Sequence, residues 1–315
     1  MGAQMLHDVL SLGIPFAVAL LFAALGEMFN QRAGVFNLGC EGIMCIGAFL
    51  AFLPPWLQHD PALAAQANLL GLGLAALSGA ALGLLFGLVT VAFRAPQGIA
   101  GIGLQMLGWG VAGTLSRHFV GGVTGVPGIG VWPVPLLSKI PFLGGVLFEH
   151  NPLVYCAYLA VPGAWWLLFK SSWGLRVRAA GMHPRAADTM GINVVAVRYQ
   201  ALALGGAMAG LGGAYLSLCQ AKMFADDLVA GRGFIAVALV YFGRWSPWGI
   251  ALGALLFSLA QALQLSIQVA GIKFPYEFAV MLPYVLVIVV LSLARRSKTL
   301  APAALGKPYD RELRV

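Results

Sequence analysis

Charge is what this sequence has least of: 10% of its 315 residues are Asp, Glu, Lys or Arg, against about 25% in soluble domains. That scarcity excludes a water-soluble enzyme or binding module. Cysteine is scarce too. Cys40, Cys45, Cys156 and Cys219 lie in or beside apolar segments without C-x-x-C spacing, which leaves no disulfide framework and makes them small buried hydrophobes. The five histidines, His7, His59, His118, His150 and His183, sit near span ends with no H-E-x-x-H and no close ligand partner, so no metal site is expected. A phosphate-binding G-x-x-x-x-G-K-[ST] loop is missing, since the one Gly-Lys pair, Gly306-Lys307, runs into Pro308. A G-x-S-x-G nucleophile elbow is missing as well. The expectation is a chain that is not an enzyme, binds no cofactor itself and hydrolyses no nucleotide by a P-loop. No Lys or Arg precedes the first apolar run and no small-x-small cleavage site follows it, so that run is read as an uncleaved span.

What is present is hydrophobic: 60% of the residues, with a mean hydropathy of +0.87. The apolar runs are long and continuous, unlike the alternating segments of about 10 residues that build membrane barrels. The fold class is therefore all-α, a polytopic integral membrane bundle. Runs fall at 9–26, 38–57, 67–93, 98–117, 153–169, 199–219, 234–243, 247–269 and 277–294. The seventh is too short to cross a bilayer at 1.5 Å per residue and is expected to be a half-helix or re-entrant piece. About eight to nine membrane elements follow.

The chain carries a net charge of +8 and a pI near 9.6, but the basic residues cluster beside spans. Lys170, Arg176, Arg178, Arg185 and Arg198 occupy 170–198, and Arg295, Arg296, Lys298, Lys307, Arg311 and Arg314 occupy the tail. That is the positive-inside pattern of a protein in a lipid bilayer, with no nucleic-acid partner. Both clusters, and with them the C-terminus, are expected to be cytoplasmic, as are Arg94 and Arg32. The N-terminus and the Gly- and Pro-rich stretch 118–152 then lie outside. The expected organisation is a transmembrane domain over 1–298 and a cytoplasmic tail over 299–315. The stretch 118–152 is either a functional ordered loop or a connector with a short surface helix.

Two regions share a texture the other spans lack. In 26–57, "GEMFNQRAGVFNLGCEGIMCIGAFLAFLPPWL", and in 231–256, "GRGFIAVALVYFGRWSPWGIALGALL", glycines break an apolar run into short pieces. One lies in each half of the chain, which suggests internal, inverted repeats with discontinuous helices near a solute path. Asn37 and Glu41 in the first region are four residues apart and would share a face on a helix. Either they line the path, as intramembrane ionisable groups often do, or they bond the backbone freed at the helix break. Ser258, Gln261, Gln264 and Gln268 form an amide-rich face that either meets solute or binds a neighbouring helix. Gly205, Gly206, Ala209, Gly210, Gly212 and Gly213 form a small-residue packing surface. Trp132, Trp245 and Trp248 read as interfacial anchors.

In the basic segment "GLRVRAAGMHPRAADTMGINVVAVRYQ", Pro184 can open a helix and Gly191 can close it. The helix between them is about two turns and needs something to pack against. It is either a docking helix, with Ala186 and Ala187 admitting a partner's groove and Arg185 and Asp188 at its edge, or a helix packed on its own domain. "RAADTMG" resembles the Ala-Ala-x-x-x-Gly core of the loop by which permease subunits of ABC transporters receive their ATPase, with Arg185 where that core usually has an acid. "AGVFNLGCEGIMCIGAF" is similar to the first-half signature of the permease family that serves branched-chain amino acids, simple sugars and nucleosides. Its Asn-Leu-Gly-x-Glu-Gly form resembles the nucleoside and simple-sugar branch, as do "LGGAMAGLGGAYLSL" (204–218) and "GRGFIAVALVYFGRWSPWG" (231–249). The resemblance covers most of 14–294. It implies a bacterial inner-membrane importer in which an extracytoplasmic binding protein delivers solute to two permeases, commonly paralogous chains, and separate subunits bind ATP. A nucleoside is the expected solute, with a simple sugar as alternative. An ion-coupled secondary transporter is the rival of a different class, and it would call for ionisable relays within the spans, where only Glu41 and, at a span end, Glu277 stand.

Overall fold

The computed structural model describes residues 2–58, 60–122, 124–135, 137–140, 143–269 and 301–310, with positions 281, 285, 288, 289 and 292. A bilayer core offers backbone amides no water, so each apolar run closes its hydrogen bonds on itself as a helix. The helices are α1 (Gly2–Arg32), α2 (Cys40–Leu57), α3 (Ala64–Gly87), α4 (Gln97–Phe119), α5 (Leu143–Leu147), α6 (Pro152–Phe169), α7 (Ser172–Met182), α8 (Pro184–Thr189), α9 (Val194–Tyr215), α10 (Arg232–Phe242) and α11 (Pro247–Val269). π-helical turns extend α3 through Leu88–Ala92 and α9 through Leu216–Gln220. Among the described residues, seven helices are long and apolar enough to cross a membrane, and α10 is a shorter apolar helix. The chain is a polytopic helical membrane protein. Apart from five positions, the ninth apolar run lies outside the described residues, as do Glu277, Arg295, Arg296, Lys298, Arg311 and Arg314.

The bundle is organised around α1 and α9, which pack on each other; α9 also meets α2 and α3, and α1 meets α11, α10 and α6. The small residues of α9 let three backbones approach. A Cβ on Gly206 would land on the carbonyl oxygen of Gly79 in α3, and one on Gly213 would land on that of Met44 in α2. Gly213→Val is therefore expected to block assembly of the bundle. Gly73→Val, where a Cβ would meet nothing within 4 Å, is the matched control. Recovery of monodisperse protein in detergent separates the two, and equal recovery would contradict this packing.

The stretch 118–152 carries local structure at its described residues. Its strands β1 (Trp132–Pro133) and β2 (Glu149–His150) pair antiparallel, with α5 between them. The Tyr155 hydroxyl donates to the Phe148 carbonyl at 2.7 Å. His150 meets the Val146 carbonyl at 2.8 Å through Nε2, and burial pushes its imidazole below the ordinary histidine range. At the same end, residues 125–129 are zipped to the end of α9 by Val126 N–H to Lys222 O and Ile129 N–H to Leu218 O, both 2.9 Å. Arg117 and Asp226 form an exposed ion pair alongside at 2.7 Å.

Candidate functional site

Between α1 and α2 the chain leaves helical geometry over residues 33–39 and turns at Gly34 with φ +87°. A break inside a membrane bundle frees amides that must find acceptors. Here they find side chains. Glu27, 1% exposed near the end of α1, accepts from Gln31 Nε2 (3.1 Å) and the Asn37 backbone N–H (3.0 Å) with one oxygen, and from Asn30 Nδ2 (2.9 Å) with the other. Asn37 Oδ1 accepts from Gly39 N–H at 2.8 Å, covering the entry to α2. Phe36 N–H donates to Gln97 Oε1 at 2.7 Å.

Glu41 holds a different helix. Its two carboxylate oxygens accept from Gly231 N–H (2.7 Å) and Gly233 N–H (2.6 Å) at the N-terminus of α10. The orphan amides of a first turn and the positive end of the helix dipole both favour a carboxylate there. Glycine at 233 is required, because a Cβ would meet the Glu41 backbone and Oε2. At the other end of α10, Arg244 and Trp245 both take left-handed conformations, φ 55° each, which non-glycine residues adopt only when their surroundings hold them. Arg32 supplies that hold by donating to the Trp245 carbonyl from Nε (3.2 Å) and Nη2 (2.8 Å). The Trp245 indole N–H donates to Gln31 Oε1 at 2.9 Å. The half-helix α10, 11 residues or about 16 Å long, thus carries an anion at its N-terminus and a cation at its C-terminal break. Both come from the α1–α2 segment, so the two broken regions meet. Trp245→Phe is expected to strand Gln31 Oε1 and lower the melting temperature. Gln31→Leu alone also costs Glu27 a donor, so the double variant is expected to lose less than the sum of the two single losses; strictly additive losses would deny the bond.

Several sequence expectations change here. Asn37 and Glu41 share no helical face, because Asn37 lies in the break and only Glu41 is helical. Trp245 is no interfacial anchor: it is 3% exposed and hydrogen-bonded inside the bundle, whereas Trp132 and Trp248 are exposed. Glu27 is a second buried carboxylate within the spans, and its signal was the i, i+3, i+4 spacing of Glu27, Asn30 and Gln31. On α11, Ser258 is buried, Gln261 and Gln264 are half-buried and Gln268 is exposed. Among the described residues no hydrogen bond joins these glutamines to Asn37 or Glu41.

At the end of the bundle where α1 stops, α7 and α8 lie across it. Gly181 of α7 abuts the Arg32 carbonyl, where a Cβ would fall. α8 starts at Pro184, and Gly191 lies just beyond it with φ +82°. Ala187 is buried and its carbonyl accepts from Ile192 N–H at 3.0 Å, so this alanine faces its own protein. Arg185 and Ala186 are exposed, Asp188 is half-buried, and Met190 is 82% exposed. The face open to a partner is thus Arg185, Ala186, Thr189 and Met190, not the Ala186-Ala187 pair. Arg198, 1% exposed at the start of α9, donates to Ala33 O (3.2 Å) and Lys307 O (3.4 Å), tying the first break to residues 301–310.

The fold and the site are those of a polytopic helical membrane protein with two broken regions held by buried and half-buried side chains, and comparison with known proteins makes it a membrane permease. The chain belongs to the family of permease components of branched-chain amino acid transport systems, whose match covers residues 9–291. It is 37% identical to the nucleoside ABC transporter permease protein NupC of Lactococcus lactis subsp. cremoris, over 93% of this chain and 94% of the relative. It is 35% identical to the guanosine ABC transporter permease protein NupQ of Bacillus subtilis, over 97% of each. TsgC13 of Haloferax volcanii, provisionally named a glucose ABC transporter permease protein, is 36% identical over 97% of this chain and 98% of its own. No solved structure matches the chain.

Proposed function

We propose that this chain is the permease subunit of a nucleoside importer, forming the solute path with a second, paralogous permease in the bacterial inner membrane. Separate ATP-binding subunits drive it and an extracytoplasmic binding protein supplies it. The observation that carries the reading is full-length similarity to NupC and NupQ, joined to an exposed two-turn helix at the basic end of the bundle. ATP is bound by the partners and not by this chain, and the C-terminus is cytoplasmic, in keeping with the basic residues beside α8.

In the mechanism that follows, ATPase closure pushes on α8 through Ala186, with Pro184 and Gly191 bounding the lever and Arg185 and Asp188 at its edges. The push passes through α7, whose Gly181 rests on the Arg32 carbonyl. Arg32 in turn holds Trp245 at the α10–α11 break. Both broken regions then move together, opening the path first to one side and then to the other. Asn37 and Glu41 act by fixing the break and the α10 N-terminus, and Gln261 and Gln264, half-buried and neutral, are the side chains left to meet a polar solute, with Gln268 further along the same face.

A simple sugar is the second reading, favoured by the similarity to TsgC13. Solute-stimulated ATP hydrolysis by the reconstituted complex, measured across nucleosides, free bases and sugars, decides between them. Stimulation by nucleosides is expected; stimulation by sugars alone would overturn the nucleoside assignment.

A further inference from the structure

Residues 301–310 run back across the α7–α8 end of the bundle as a strap. Ala304 N–H donates to Gly181 O at 3.0 Å. Arg198 reaches the Lys307 carbonyl, and the Tyr309 ring lies 6.0 Å from the Arg198 guanidinium. Arg94 pairs with Asp310 at 2.6 Å. Two grooves result, one on each side of α8. One, of about 450 Å³, has His183, Arg185 and Ala186 on one wall and Ala303, Lys307 and Tyr309 on the other. The second, of about 500 Å³, is bounded by Arg94, Asp188, Asn193 and again Tyr309.

We propose that the strap is the second wall of the socket that receives the ATP-binding subunit, so that docking is shared between α8 and residues 303–310. This rests on the permease reading above. A stable interface buries about 800 Å² on each partner, and the six residues of α8, one of them buried, cannot supply that area. The docked surface must extend beyond the helix, and the strap is the neighbouring exposed surface across a shared groove. Its outward residues Ala303, Gly306, Lys307 and Pro308 are exposed. Arg94 is paired with Asp310 and Arg198 is buried, and the exposed basic side chains on the walls of the first groove, Arg185 and Lys307, suit a carboxylate-bearing segment of the partner. Arg198 gives the strap a mechanical consequence, because the same guanidinium holds Ala33 at the first helix break.

The test is photocrosslinking in membranes that contain the whole importer, with a benzophenone amino acid in place of Met190, Lys307 or Trp132. All three are large exposed side chains, so none of the replacements disturbs the core or adds much bulk at the socket. Capture of the ATP-binding subunit is expected from 190 and from 307, and not from 132 at the opposite end. Capture from 190 without 307 would overturn the strap while leaving the permease reading intact. Capture from neither would overturn both.

Discussion

Replacing Glu41 with alanine is expected to remove uptake almost completely, by releasing one end of a helix. The substitution leaves Gly231 and Gly233 N–H without their acceptor inside a bundle where Glu41 is 1% exposed. Each stranded donor costs about 1–3 kcal/mol, so the loss is roughly 2–6 kcal/mol, a large fraction of the about 5–15 kcal/mol by which domains are stable. Glu41→Gln keeps the shape but offers one carbonyl oxygen to two donors, and an intermediate defect follows. The structural role is recognised by its indifference to solute. Melting temperature should fall with no solute present, and uptake of every transported solute should fall by the same factor. Unchanged melting with selective loss of one solute would mean instead that Glu41 touches the cargo.

The second large effect lies at the other end of the force path. Ala186 is exposed and Ala187 is buried on the same two-turn helix, so equal substitutions at adjacent positions should fail differently. Ala186→Glu leaves the permease folded and melting as before, but places bulk and charge where the ATPase seats. Solute-stimulated hydrolysis is expected to fall at least tenfold, the equivalent of about 1.4 kcal/mol of binding. Ala187→Glu buries an unpaired charge and is expected to lower the yield of folded protein itself. Identical behaviour of the two variants would contradict the orientation of α8.

The membrane helices were legible from hydropathy because bilayer thickness and the need to satisfy every backbone amide leave few alternatives. The apolar run at 234–243 was recognisable as too short to cross, and it is α10. Side-chain roles were legible only where the partner is local. Pro184 and Gly191 bound α8 through their own backbone preferences, whereas Glu27 was overlooked although Asn30 and Gln31 mark it locally. Glu41 was visible as costly but not as a helix cap, since Gly231 and Gly233 lie 190 and 192 positions away. Trp245 was misread for the same reason: an indole near an apolar segment end suggests an interface, and only the fold reveals Gln31 and Arg32 beside it. A broken helix was legible from the glycines of 26–57, but the shared helical face of Asn37 and Glu41 failed, because Glu27, Asn37 and Gln97 place the break at 33–39 and spacing alone cannot reveal where it falls.

The central claim, that this chain is a path opened by ATP and not by an ion gradient, is tested most directly in proteoliposomes. The permease is reconstituted with and without its ATP-binding subunits, and nucleoside uptake is followed with ATP supplied or with a proton or sodium gradient imposed. Uptake that requires both the ATPase subunits and ATP, and that ignores either gradient, is the expected result. Uptake by the permease alone, driven by a gradient, would contradict the account.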